Sequence, residues 1–261
     1  MLNEILGLSN QQVILYFLGF LRILALISVA PVFGSRAIPF QLKIFLSLLL
    51  ASILLPVAKN PIPKEELFYP FLLMASTKEV FIGLFFGFNT RLIFEAFQIA
   101  GRLIGNQMGL GMAELIDPVS GAQASPIGNF FSMIALVLFL QLNGHHLIIN
   151  ALHDSFSIVP ISNQALMSSL TGQKMLTMFS DIFKIAIKLA APALVTFALL
   201  ELSMGIIART SPQMNIFFIA LPMRLGLGFI ILIVSLPVFY LFFETILSSM
   251  KNNVKELLLT F

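Results

Sequence analysis

The sequence predicts an all-helical membrane protein. Three observations carry that expectation: a mean hydropathy of +0.98, 58% hydrophobic against only 10% charged residues, and apolar runs that recur along the whole chain. Soluble domains average about 25% charged residues, so this chain lacks the polar surface to cover itself in water. The runs 13–33, 42–58, 68–88, 127–142, 182–200 and 214–247 approach the roughly 20 residues that cross a ~30 Å hydrocarbon core. Each is expected to be a helix, because a lone strand cannot satisfy its backbone in lipid.

The start, MLNEILGLSNQQ, lacks the basic region of a cleavable signal peptide, so insertion is expected to use internal segments. Run 13–33 carries Arg22 in its middle. Arg36 and Lys43 make the connection after it basic, which favours the cytoplasmic side, whereas Lys59, Lys64, Glu65 and Glu66 cancel in the next connection. Run 68–88 contains the adjacent Lys78 and Glu79, with Arg91 and Glu95 beyond it at a spacing that pairs on one helix face. Lys184 and Lys188 share that spacing with like charge and call for headgroups, water or acidic groups on a partner. The last run would measure about 51 Å as one helix at about 1.5 Å per residue. Pro222 and Pro237 are the expected places for it to break or fold back. Lys251 and Lys255 draw the C-terminal segment to the cytoplasm as well. Six simple spans cannot satisfy both basic segments, and a hairpin in the last run would.

Ionisable residues inside apolar runs or just beyond them, here Arg22, Lys78, Glu79, Arg91, Lys184, Lys188, Glu201, Arg224 and Glu244, are costly in lipid. Several helices are therefore expected to face protein. Interface anchors are sparse, with no Trp and three Tyr against 27 Phe. Gly83 and Gly87 form one G-x-x-x-G, and Gly101, Gly105 and Gly109 form two more in register. Such spacing stacks bare backbone on one face, where a second helix can pack closely, either from the same chain or from a partner.

Chemistry finds little support. The chain has no Cys, which removes disulfides and thiolate sites. His145, His146 and His153 lack the Cys or Glu neighbours that would complete a metal set, so helix capping or packing is the preferred role. HDSF, with Ser155, contains the letters of a hydrolase triad, but triads are assembled by the fold, and Ser120 lacks the preceding glycine of a nucleophile elbow. Neither a P-loop nor a dinucleotide fingerprint is present. No catalytic residue, metal or cofactor is expected. A net charge of +3 without a basic block excludes nucleic acid as a partner.

Between apolar runs stands NQMGLGMAELIDPVSG, residues 106–121. Gly109, Gly111 and Gly121 permit unusual backbone angles, and Pro118 disfavours helix at Asp117. The helix through Gly101 and Gly105 is expected to end here. Met108, Leu110, Met112, Leu115 and Ile116 keep the segment apolar, with Met supplying a deformable surface. It fits either a surface turn or a movable apolar stopper in a pore.

That stretch, extended as GRLIGNQMGLGMAELIDPVSG, is followed by LFLQLNGHHLIINALHDSFSIVP and ARTSPQMNIFFIALPMRLGLG. Together with the earlier FLRILALISVAPVFGSRAIPFQLKIFLSLLLA, these blocks resemble the FliR/SctT family of type III secretion export-gate subunits. NGHH followed by HDSF favours the flagellar branch. The resemblance covers nearly the whole chain and implies one helical domain over 1–261, built of integral-membrane-type hairpins like fused FliP-like and FliQ-like units. It further implies assembly with FliP-family and FliQ-family subunits into a closed helical gate, with a FlhB-family protein at its entrance. Unfolded export substrates would pass through it, at the flagellar basal body in the bacterial inner membrane. Much of that gate would be lifted out of the bilayer plane, and proton motive force and a separate ATPase would supply the energy.

The family's plug loop maps onto Met108, Gly109, Leu110, Gly111, Met112, Ala113, Glu114, Leu115, Ile116, Asp117 and Pro118, with Met112 where relatives often carry Phe. The PQMN block, 212–215, would be the turn between the last helices. Arg91, Glu95, Arg209 and Arg224 are candidate subunit contacts, and Gly83, Gly87, Gly101 and Gly105 are candidate packing positions. The competing expectation is a stand-alone secondary transporter, suggested by broken apolar segments and intramembrane charge. An intramembrane hydrolase using Ser155 or Ser120 comes third.

Overall fold

A computed structural model describes residues 10–35, 37–57, 69–111, 125–161, 169–213 and 215–258. Among them the regular structure is entirely helical: α1 (Asn10–Val29), α2 (Phe40–Leu54) with a 3-10 turn (Leu55–Val57), α3 (Tyr69–Gln107), α4 (Pro126–Gln141), α5 (Gly144–Ile158), α6 (Ser169–Thr210) and α7 (Ile216–Leu258). Four of these helices are long and apolar enough to cross a membrane, or five if α4 and α5 count as one broken span. The six-span count that set the two basic segments in conflict therefore falls.

Local chemistry explains the boundaries. Pro39, at φ −56° and ψ 143°, precedes α2, and its carbonyl accepts from the Leu42 and Lys43 N–H groups at 3.0 and 3.4 Å. Ser125 caps α4 by accepting from the Gly128 N–H at 3.3 Å, with Pro126 at the first helical position where its missing N–H costs nothing. Asn143 takes the left-handed conformation, φ 55°, at the break before α5.

The structure corrects three sequence expectations. The last run neither breaks nor folds back: α7 is one helix of 43 residues with both Pro222 and Pro237 inside it. Each proline deletes one backbone donor, but the surrounding apolar residues leave the chain no watered alternative for the rest of its amides. The run expected to end at 88 continues to Gln107. Its extension buries Ile93, Ala96, Phe97, Ala100 and Ile104 at helical spacing, while polar residues on the other face dilute its hydropathy. Helix α5 has no counterpart among the runs. It is amphipathic, burying Gly144, Ile148, Leu152, Ser155 and Phe156 and exposing Asn150, His153 and Asp154.

The chain divides into two compact units, one of Met1–Leu92, Asn143–Met178 and Leu247–Phe261, the other of Ile93–Leu142 and Phe179–Ile246. In the first, the G-x-x-x-G face of α3 lies on α1: a Cβ at Gly83 would fall on the Arg22 carbonyl oxygen, and one at Gly87 would lie 2.7 Å from that of Leu26. The core of the second is aromatic. Phe97 packs edge-on against Phe239 and Phe243 with centroids 6.2 and 5.3 Å apart, and Phe131 against Phe239 at 4.9 Å. Edge-to-face pairs of this kind add about 0.5–1.5 kcal/mol each beyond area burial.

Candidate functional site

Helix α3 stops where the glycine-rich stretch begins, and it stops by a Schellman cap. The Leu110 N–H donates to the Gly105 carbonyl at 3.0 Å and the Gly109 N–H to the Asn106 carbonyl at 3.0 Å. Gly109 supplies the left-handed residue this motif requires, at φ +86°. Met108, just before it, is fully buried. Its side chain lies on α7, where a Cβ at Gly228 would meet the Met108 Cγ at 2.6 Å and Sδ at 2.7 Å. A Cβ at Gly109 would lie 3.0 Å from Leu221 Cδ1, also on α7.

The far end of the stretch returns to the same place. A Cβ at Gly105 would lie 3.0 Å from the Ser125 hydroxyl, and one at Gly101 would lie 2.6 Å from the Ile127 carbonyl oxygen and 2.8 Å from Gly128 Cα. Gly111, beside Asn106, and Ser125, beside Gly105, thus both lie against the last turns of α3. Of the expected plug residues, Met108, Gly109, Leu110 and Gly111 are described and follow the last turn of α3. Met112, Ala113, Glu114, Leu115, Ile116, Asp117 and Pro118 lie outside the described residues, as does Ser120.

The other expected contact residues are dispersed. Arg91 is exposed and Glu95 half-buried on α3, and neither lacks a partner. Arg209 is exposed in the last turn of α6, where a cation complements the helix dipole. Arg224 on α7 reaches Glu201 on α6 at 3.1 Å, with side chains 33% and 49% exposed. Helix α6 ends at Thr210 and α7 begins at Ile216, on either side of the PQMN block. Lys184 takes its acid from its own helix, pairing with Asp181 at 2.9 Å.

A second polar cluster lies in the other unit, and the sequence pattern did not link its members. Arg22 and Glu79, both fully buried, form an ion pair with Nε 2.5 Å from Oε2. Arg22 Nη1 also donates to the Ser155 carbonyl at 2.9 Å and hydroxyl at 3.1 Å, and Nη2 to the Val159 carbonyl at 3.0 Å. The guanidinium carbon stands 4.7 Å from the centroid of the Phe156 ring. One buried cation therefore ties α1 to α3 and to the C-terminal end of α5. Arg22, Glu79 and Ser155 are each recognisable as unusual in the sequence, but 57 positions separate the first two and 133 the first and third. No local pattern spans such distances. The Ser155 hydroxyl is used in this cluster, donating to the Leu152 carbonyl at 2.7 Å while accepting from Arg22. The His145 and His146 rings lie 4.2 Å apart. No group of three potential metal ligands occurs among the described residues.

Comparison with known proteins agrees along the length of the chain. Residues 13–250 match the family model of bacterial export proteins, family 1. The chain is 34% identical over 247 residues to the flagellar biosynthetic protein FliR of Bacillus subtilis, covering 93% of this chain and 94% of the relative. It is 33% identical over 245 residues to FliR of Escherichia coli, covering 94% and 92%. With FliR of Aquifex aeolicus it shares 31% identity over 255 residues, covering 94% and 98%. The chain belongs to the bacterial export proteins of family 1, the family of the flagellar FliR proteins.

Proposed function

We propose that the chain is a non-enzymatic subunit of the flagellar type III secretion gate, that it forms part of a protein-conducting channel, and that the segment around 106–121 closes it. Its relatives are flagellar biosynthetic proteins, and its long apolar helices make it an inner-membrane component of the flagellar export apparatus. FliP-family, FliQ-family and FlhB-family proteins are the proposed partners, and unfolded export substrates the proposed cargo.

The observation that carries the gate role is the double rooting of the segment. Leu110 leaves by a hydrogen bond to the Gly105 carbonyl at 3.0 Å, and Ser125 returns against the Gly105 face. Ends held on one helix give the segment a fixed frame. It can also seal by contact alone, so that opening breaks no strong polar bond.

Deleting residues 109–115 tests this in cells carrying the complete apparatus. Small-ion leakage across the inner membrane should rise while the chain still co-purifies with its partners. An unchanged leak with normal assembly would sink the gate role.

A further inference from the structure

We infer that Gly228 of α7 is a positioning residue for the gate, its bare backbone forming the seat that holds Met108 and, through it, the departing end of α3. The inference rests on the gate role proposed above. The glycines differ in what a methyl group would meet. At Gly101 the obstacle is the Ile127 carbonyl oxygen at 2.6 Å and Gly128 Cα at 2.8 Å, which is backbone, so a whole helix would have to move. At Gly228 the obstacles are Met108 Cγ at 2.6 Å and Sδ and Cε at 2.7 Å, a flexible side chain with rotamers to spare. At Gly226, two residues earlier on the same helix, nothing lies within 4 Å.

A methyl group at Gly228 therefore displaces Met108 rather than α7. Met108 is fully buried and is followed at once by Gly109, whose φ of +86° sets the direction in which the chain leaves the helix. Leu221, one side-chain carbon of which stands 3.0 Å from a Cβ position at Gly109, closes the other side of the seat. With Met108 displaced, the cap loses the packing on Gly228 that helps to fix its exit direction.

The test uses the full chain in its assembled apparatus. Gly228→Ala should raise small-ion leakage severalfold with chain abundance and co-purifying subunits unchanged, whereas Gly226→Ala, the same change in helix propensity, should leave the leak at its original level. Met108→Ala should leak as Gly228→Ala does, and the double variant no more than either. A second readout does not depend on gating. The chain has no Cys, so Met108→Cys can be labelled alone by maleimide; labelling should be slow, and severalfold faster when Gly228→Ala is added.

Equal labelling rates would overturn the seat, as would equal leaks from the two glycine variants or leaks that multiply in the double variant. Should Gly228→Ala fail to accumulate, a silent Met108→Ala would overturn it too. If deleting 109–115 causes leakage but Gly228→Ala changes neither leak nor labelling, the seat is wrong and the gate role stands. If the deletion is silent while labelling accelerates, the seat is right and the gate role fails.

Discussion

Arg22 sits in the middle of an apolar helix with every polar contact supplied by the protein. Its partners come from α3 and α5, and its side chain and that of Glu79 have no exposed surface. In such a place the charge cannot be left half-matched: removing one member of a buried pair costs about 3–5 kcal/mol, whereas replacing both by apolar residues of similar volume is often neutral or stabilising. Glu79→Gln should therefore lower the accumulation of the chain in membranes and shift its proteolysis midpoint in detergent to lower denaturant. Arg22→Met combined with Glu79→Leu should restore most of the loss, which protease-resistance curves of the three variants would measure. A double variant no better than Glu79→Gln would argue that the four hydrogen bonds of Arg22, to Glu79, the Ser155 carbonyl and hydroxyl and the Val159 carbonyl, matter more than the charge balance.

Among the elements, α3 shows how glycine spacing becomes packing. Its first G-x-x-x-G face meets α1 in one unit, and Gly101 and Gly105 meet α4 in the other. The obstacles differ in kind, and that sets an order of damage. Gly101→Ala meets backbone at 2.6 Å, whereas Gly105→Ala meets first a serine hydroxyl at 3.0 Å, which can give way at the loss of its single capping bond to the Gly128 N–H. Assembly and export, read as co-purification and swimming, should fail with the first substitution and persist, reduced, with the second. Equal effects would mean that the spacing matters only through helix propensity.

Part of this architecture was legible from local chemistry, namely the helical class and the stop of α3 in the glycine-rich stretch, whereas the break between α6 and α7 was implied by the family resemblance. The prolines of α7 misled because proline breaks helices in water, where freed carbonyls find new donors; Pro222 and Pro237 stay within one helix. Helix α5 escaped notice, and α3 was not read as one continuous helix, because α5 and the second half of α3 bury one face only, which lowers mean hydropathy without lowering the need to pack. The Arg22 cluster and the seat of Met108 were illegible for a simpler reason: each joins residues that only the tertiary fold brings together.

At the scale of the molecule, burial is uneven in a way that bears on what the chain needs. The apolar window of α3 is 67% buried, but those of α6 and α7 are only 33% and 22% buried. Phe183, Val195, Leu199 and Leu202 on α6, with Phe229, Ile230, Ile233 and Val234 on α7, remain exposed. The Glu201–Arg224 pair stands among them, partly open, and charge of that kind is poorly matched to lipid tails. Expressed without other export subunits, the chain should aggregate or be degraded, and in mild detergent from complete cells it should purify only with companions; mass analysis of the purified material checks both. Recovery of a stable single species from the lone chain would favour a self-sufficient transporter.

Helix length adds a last consequence. With 42 residues in α6 and 43 in α7, each runs to about 63 Å or more along its contour, roughly twice the hydrocarbon thickness. A bilayer can wet at most about half of such a post. The other half stands clear of the hydrocarbon, and its exposed apolar side chains, Leu176, Phe179 and Phe183 among them on α6, would face water like an unclad mast unless neighbouring proteins were lashed around it.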